Sequence, residues 1–118
     1  MEGIVPRQKL WLERDGLVVM SGYRMRLLQL VDESGSLARA AAEMGLSYRR
    51  AWGKVKEIEH NLGVELVHSE VGGAGGGNTA LTPAGRALLR AYERFQARLE
   101  AELTQVFAEE LSAIAEER

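Results

Sequence analysis

Cysteine is absent from this 118-residue sequence. A disulfide framework, a thiolate metal site and a cysteine nucleophile are therefore all excluded. Histidine occurs only as His60 and His68, each of which reads as a surface or helix-end residue. A two-histidine metal site would need carboxylate help whose geometry the sequence does not show. The expectation is a non-enzyme without catalytic residues, metal or cofactor of its own. No apolar run approaches the roughly eighteen residues of a membrane-spanning helix, and the opening MEGIVPRQKLWLERDG lacks the apolar stretch of a signal peptide. A cytoplasmic protein without membrane contact is expected. Excess positive charge is lacking too. With 15 Lys and Arg against 17 Asp and Glu, the net charge is −2, unlike a generic nucleic-acid coat, which would be basic throughout.

The length suits one domain able to bury a core, and its charge is unevenly distributed. Residues 93–118 carry Glu93, Glu100, Glu102, Glu109, Glu110, Glu116 and Glu117 against three arginines. The middle is basic: over residues 36–58, Arg39, Arg49, Arg50, Lys54 and Lys56 stand against Glu43 and Glu57. An acidic tail after a basic middle confines any affinity for an anion to one face.

That basic middle, residues 35–63, reads GSLARAAAEMGLSYRRAWGKVKEIEHNLG. Ser36 is placed to cap a short helix, its hydroxyl accepting from a free first-turn amide. Leu37, Ala41 and Met44 follow at helical spacing, and Gly45 supplies the positive φ that ends it. Ser47 caps a second helix with Ala51, Val55, Ile58 and Leu62 inward, flanked by Tyr48 and Trp52. The small Ala40, Ala41 and Ala42 allow two helices to cross closely at a steep angle. Arg49, Arg50, Gly53, Lys54 and Lys56 fall on the outer side of the second helix. Cations near a helix start oppose its dipole, and a glycine inside a helix costs about 0.5–1 kcal/mol relative to alanine. Both features fit an outer face that meets DNA closely. The DNA-contacting set is expected to be Ser36, Arg39, Ser47, Tyr48, Arg49, Arg50, Gly53 and Lys54. A helical hairpin with a solvated charged face, serving as a protein-interaction module, is the alternative.

Next, Val64, Leu66 and His68 read as one face of a short strand, with Thr79 to Leu81 as its return. Gly72, Gly73, Gly75, Gly76, Gly77 and Asn78 form the tip between them. No Lys-Ser or Lys-Thr pair follows and the spacing is not GxGxxG, so this is no phosphate cradle. A hairpin directly after a recognition helix is a wing. Thr82 and Pro83 then start a helix, with no later Pro or Gly after Gly85 to stop it. About 35 residues at 1.5 Å each would span about 50 Å, too far for one small domain to cover. Tyr92, Phe95, Leu99, Leu103, Val106 and Phe107 are therefore expected to pair with a second copy of the chain. At the other end, Leu10 and Leu12 alternate before Asp15-Gly16, with Val18 and Met20 after it, a hairpin signal. Ser21 caps a first helix with Tyr23, Leu27, Leu30 and Val31 inward and Gly35 closing it. The fold class is mainly α with small β: a winged helix-turn-helix with an N-terminal β-hairpin and a long C-terminal dimerisation helix. Residues 1–81 form the DNA-binding domain and 82–118 the dimerisation helix.

Over about residues 10–99 the chain resembles the N-terminal DNA-binding domain of the ModE family of molybdate-responsive transcription regulators. The likeness is carried by LWLERDG, DESGSLARAAAEMGLSYRRAW, VGGAGGGNTALTPAG and LLRAYERF. The segment GSLARAAAEMGLS and the LTPAG turn also resemble LysR-type regulators, which usually lack the opening hairpin and this glycine loop. The resemblance implies binding of double-stranded DNA as a homodimer, at a palindromic operator of molybdate-uptake or molybdoenzyme genes. Full-length family members add an oxyanion-binding module of small β-barrel type, and nothing similar follows the long helix. Any molybdate sensing is accordingly expected elsewhere: the chain is a stand-alone family member, a piece of a longer one, or has its sensing module on a separate oxyanion-binding protein.

Overall fold

The computed structural model of the chain describes residues 3–70 and 78–116. It opens with an antiparallel hairpin, β1 (Trp11–Arg14) and β2 (Leu17–Ser21). Asp15 and Gly16 join the strands with φ of 52° and 79°, the pair of positive values that a type I′ turn requires. Leu12 faces Met20 while Glu13 faces Val18, leaving Val19 as an unpaired bulge residue. The bulge breaks strict alternation, so Val19 and Met20 are both buried while Val18 is only half-buried.

Helix α1 (Gly22–Ser34) is capped by Ser21, whose Oγ accepts from the Arg24 amide, and closes at Gly35 with φ 68°. Its buried residues are Leu27, Leu28, Leu30 and Val31. Tyr23 departs from the inward set and is 45% exposed, its ring lying against Lys54 of the neighbouring helix and not in the core. Helices α2 (Leu37–Glu43) and α3 (Tyr48–Leu62) follow, each with its serine cap formed. Ala40, Ala41 and Ala51 are essentially inaccessible, so the crossing is built on small side chains, whereas Ala42 faces outward.

The second hairpin pairs β3 (Val67–Glu70) with β4 (Asn78–Leu81). The Thr79 amide donates to the Gly35 carbonyl at 2.9 Å, tying the hairpin to the α1–α2 turn. The strand starts later than its alternation suggested. Leu66 and Val67 are adjacent and both buried, while Val64 and His68 are exposed. The chain turns at Gly63 (φ 73°) and enters the core before it becomes extended.

Helix α4 (Pro83–Glu116) begins where Thr82 Oγ1 accepts from the Gly85 amide at 2.9 Å. Its first turns are part of the core: Leu89 and Tyr92 are buried, and the Tyr92 hydroxyl donates to the Leu10 carbonyl at 2.8 Å. Burial also pushes the Tyr92 phenol pKa up. Tyr92 thus fastens the helix to its own chain and does not join the exposed stripe expected to meet a partner. Arg90 ties α4 to α1 through Asp32 at 2.7 Å, and Gln29 donates to Glu93 at 2.7 Å. Beyond Tyr92 the helix is progressively less covered. Phe95 and Val106 are exposed, and Leu99, Leu103 and Phe107 are half-buried. Residues 5–8 lie beside Glu100, Leu103 and Thr104, where they line a shared surface cleft.

Candidate nucleic-acid interface

The outer face of α3 follows from how its inner face is held. Ala51, Val55 and Ile58 are fully buried, which turns Tyr48, Arg49, Arg50 and Gly53 outward, all exposed. Ser47 Oγ accepts from the Arg50 amide at 3.2 Å, and Ser36 Oγ accepts from the Arg39 amide at 3.1 Å. Each serine hydroxyl keeps its proton free to donate. Arg39 is exposed one helix away. Among the described residues Arg39, Arg49 and Arg50 pair with no carboxylate, so their charge faces solvent. Gly53 has no side-chain or distant backbone atom within 4 Å of where a β-carbon would sit. Its surroundings are open, so no neighbouring helix requires the glycine.

Two positively charged residues of α3 are held against aromatic rings. Lys54 Nζ lies 5.0 Å from the centroid of Tyr23, an attraction between cation and ring face. This contact places the exposed tyrosine at the flank of α3's outer surface. Lys56 lies 4.5 Å from the Trp52 centroid and pairs with Glu59 at 2.9 Å, so it serves the domain rather than the outer face. Arg24 of α1 pairs with Glu57 at 3.0 Å and donates to the Val18 carbonyl. That pairing offsets a negative charge which would otherwise oppose an anion approaching α3.

Glu59 is the buried charge of the domain, 8% exposed. Its Oε2 accepts from the amides of Leu66 at 2.7 Å and Val67 at 3.2 Å. Burial pushes its pKa upward, but these amides and Lys56 outweigh that and hold the carboxyl below the ordinary glutamate range. The sequence did carry a signal for Glu59: it stands four residues after Val55, on the inward face, where a charge needs a partner. Tyr23 and Arg24 gave none, since their importance comes from α1 crossing α3.

Of the expected wing residues, Gly72, Gly73, Gly75, Gly76 and Gly77 lie outside the described residues. Asn78 is exposed and pairs with Glu70 across the hairpin. Among the described residues no cluster of His, Asp and Glu is suited to hold a metal ion, and no helix is long and apolar enough to cross a membrane.

Residues 23–86 match the family of bacterial regulatory helix-turn-helix proteins of lysR type. The molybdenum-pterin-binding protein MopB of Rhodobacter capsulatus is 41% identical over 86 residues, 73% of this chain and 32% of that protein. The molybdenum transport protein ModE of Azotobacter vinelandii is 34% identical over 85 residues, 72% of this chain and 32% of its own. The DNA-binding transcriptional dual regulator ModE of Escherichia coli K12 is 36% identical over 70 residues, 59% of this chain and 27% of that one. The chain spans about a third of the length of these curated relatives. The fold is shared with the DNA-binding domain in a CbnR–DNA complex (TM-score 0.60, 24% identity, covering 75% of this chain and 97% of that one). It is shared too with the BenM domain on its benA site (0.57, 18%, covering 84% and 100%).

Proposed function

The chain belongs to the lysR family of bacterial regulatory helix-turn-helix proteins, and we propose on that premise that it is a sequence-specific, DNA-binding transcription regulator of molybdate-uptake or molybdoenzyme genes. The observation that carries this reading is the outer face of α3, where exposed Arg49 and Arg50 stand free of carboxylates beside Tyr48 and Lys54. The amino-terminal half of α3 enters the major groove. There an arginine grips a phosphate or makes a paired contact to guanine, and Ser36 and Ser47 add hydroxyl donors. The hairpin after α3 flanks the groove, with Asn78 at its described edge. Two chains join through Phe95, Leu99, Leu103, Val106 and Phe107 of α4, setting two copies of α3 about one duplex turn, about 34–36 Å, apart on a palindrome. The molybdenum assignment rests on the names of the similar proteins. On this reading oxyanion sensing belongs to a module outside residues 1–118 or to a separate oxyanion-binding protein.

The test is binding to mixed-sequence duplex at two salt concentrations, followed by selection from a randomised duplex pool. Affinity should fall steeply with salt, as phosphate contact requires. An Arg49→Ala, Arg50→Ala double variant should lose about 1–3 kcal/mol for each base contact removed. Unaltered affinity in a folded double variant rules out this placement of α3. Absence of any salt-dependent binding favours a protein-interaction module.

A further inference from the structure

Residues 65–67 are gripped from two sides. From α3, the Glu59 carboxylate accepts the amides of Leu66 and Val67. From the start of α4, the Thr82 amide donates to the Leu66 carbonyl at 3.0 Å, and Thr82 Oγ1 donates to the Glu65 carbonyl at 2.7 Å. Gly85 seats so closely on Leu66 that any β-carbon would overlap its carbonyl. Leu66 thus gives its N–H to the recognition helix and its C=O to the long helix, and its side chain is 1% exposed. Helix α4 is also attached to α1, through the Arg90–Asp32 pair and the Gln29–Glu93 hydrogen bond, and to the N-terminal segment through Tyr92 and Leu10.

We infer that Leu66 is the joint setting the angle between α3 and α4, with Glu59 and Gly85 as its positioning residues, so that this joint selects the half-site spacing a dimer accepts. The inference rests on the dimeric reading above. Glu59 Oε2 serves both amides while Oε1 pairs with Lys56. A glutamine keeps the size but has one acceptor oxygen and would turn an NH2 group toward donors. An alanine at residue 85 presses on the same joint from the opposite side.

The experiment uses the full chain and the palindrome that the wild type recovers from a randomised duplex pool. The palindrome is re-synthesised with its spacer lengthened or shortened by single base pairs, and as an isolated half-site. Glu59→Gln and Gly85→Ala should each broaden or shift the preferred spacing and weaken full-site binding about tenfold, the scale of one charge-assisted hydrogen bond. Half-site binding should stay within about twofold, because the outer face of α3 is untouched. Arg90→Gln, which removes the ion pairs to Asp32 and Glu93 and leaves the Leu66 joint intact, should keep the wild-type spacing. In the wild type, Leu66 and Val67 amide exchange should slow more on the palindrome than on the half-site. The joint is overturned if a variant that is folded by circular dichroism keeps the wild-type spacing. It is also overturned if half-site affinity falls in step with full-site affinity, or if the Leu66 and Val67 amides are protected equally on both duplexes. That exchange result decides the matter should both variants fail to fold. A wild-type chain that recovers no palindrome overturns the dimeric reading and the joint with it. Recovery of a palindrome with unshifted variants overturns the joint alone.

Discussion

Replacing Gly53 with alanine separates two reasons for a glycine inside a helix. Gly53 lies in the interior of α3, exposed, with room for a β-carbon. Nothing within the chain therefore offsets the gain in helix propensity, about 0.8–1.0 kcal/mol. Unfolding entropy of about 2.1 cal/mol/K per residue gives about 250 cal/mol/K for 118 residues, so the variant should melt about 3–4 °C higher. On DNA the sign reverses. A methyl group projecting from the outer face of α3 would hold the backbone off the groove, and loss of one contact worth about 1–3 kcal/mol would weaken binding about 5- to 150-fold. The assay pairs thermal unfolding at one fixed protein concentration, as a proposed dimer requires, with duplex titration at constant salt. A higher melting temperature with unchanged affinity shows that DNA does not approach Gly53. An unchanged melting temperature would falsify the claim that this surface is open.

Two further outcomes follow from α4 and from the depressed carboxyls. A Leu99→Glu, Leu103→Glu variant should sediment as a soluble monomer with weak palindrome affinity, since each half-site then binds alone; a wild-type monomer at micromolar concentration, or a variant that stays dimeric, rules out this interface. Glu59 and Glu93 are both held below the ordinary glutamate range, Glu59 as described and Glu93 by hydrogen bonds from Arg90 and Gln29. Folding favours their charged forms, so the stability they contribute is fully present above that range and is lost as pH falls through the lowered values. Urea midpoints measured across the acidic range should drop there and drop less in a folded Glu59→Gln variant, and a flat wild-type profile refutes the assignment.

Much of this fold was legible because capping chemistry is local. Ser21, Ser36, Ser47 and Thr82 each cap the helix expected of them, and Asp15-Gly16 forms its turn. Such signals depend on a few neighbouring residues and survive any tertiary setting. Periodicity was less complete. It gives the inward side of a helix but not how far along the helix its cover extends, which is why Tyr23 lies outside the core and Tyr92 inside it. The Val19 bulge and the overlap of Gly85 with Leu66 depend on residues that meet only after folding. The outward placement of Arg49, Arg50 and Gly53 was readable, since it is defined by what the inner stripe leaves over, whereas the Lys56–Glu59 pair and the Tyr23 ring under Lys54 were not.

The reach of α4 makes small angles matter. About 24 residues run on beyond Tyr92 to Glu116, an arm of about 36 Å at 1.5 Å per residue. For such a lever each degree of tilt at the base moves the far end by about 0.6 Å, and about five degrees carries it about 3 Å, close to the 3.4 Å rise of one base pair. If Leu66 is the fulcrum, a methyl group at residue 85 would be magnified into a whole step along a bound double helix.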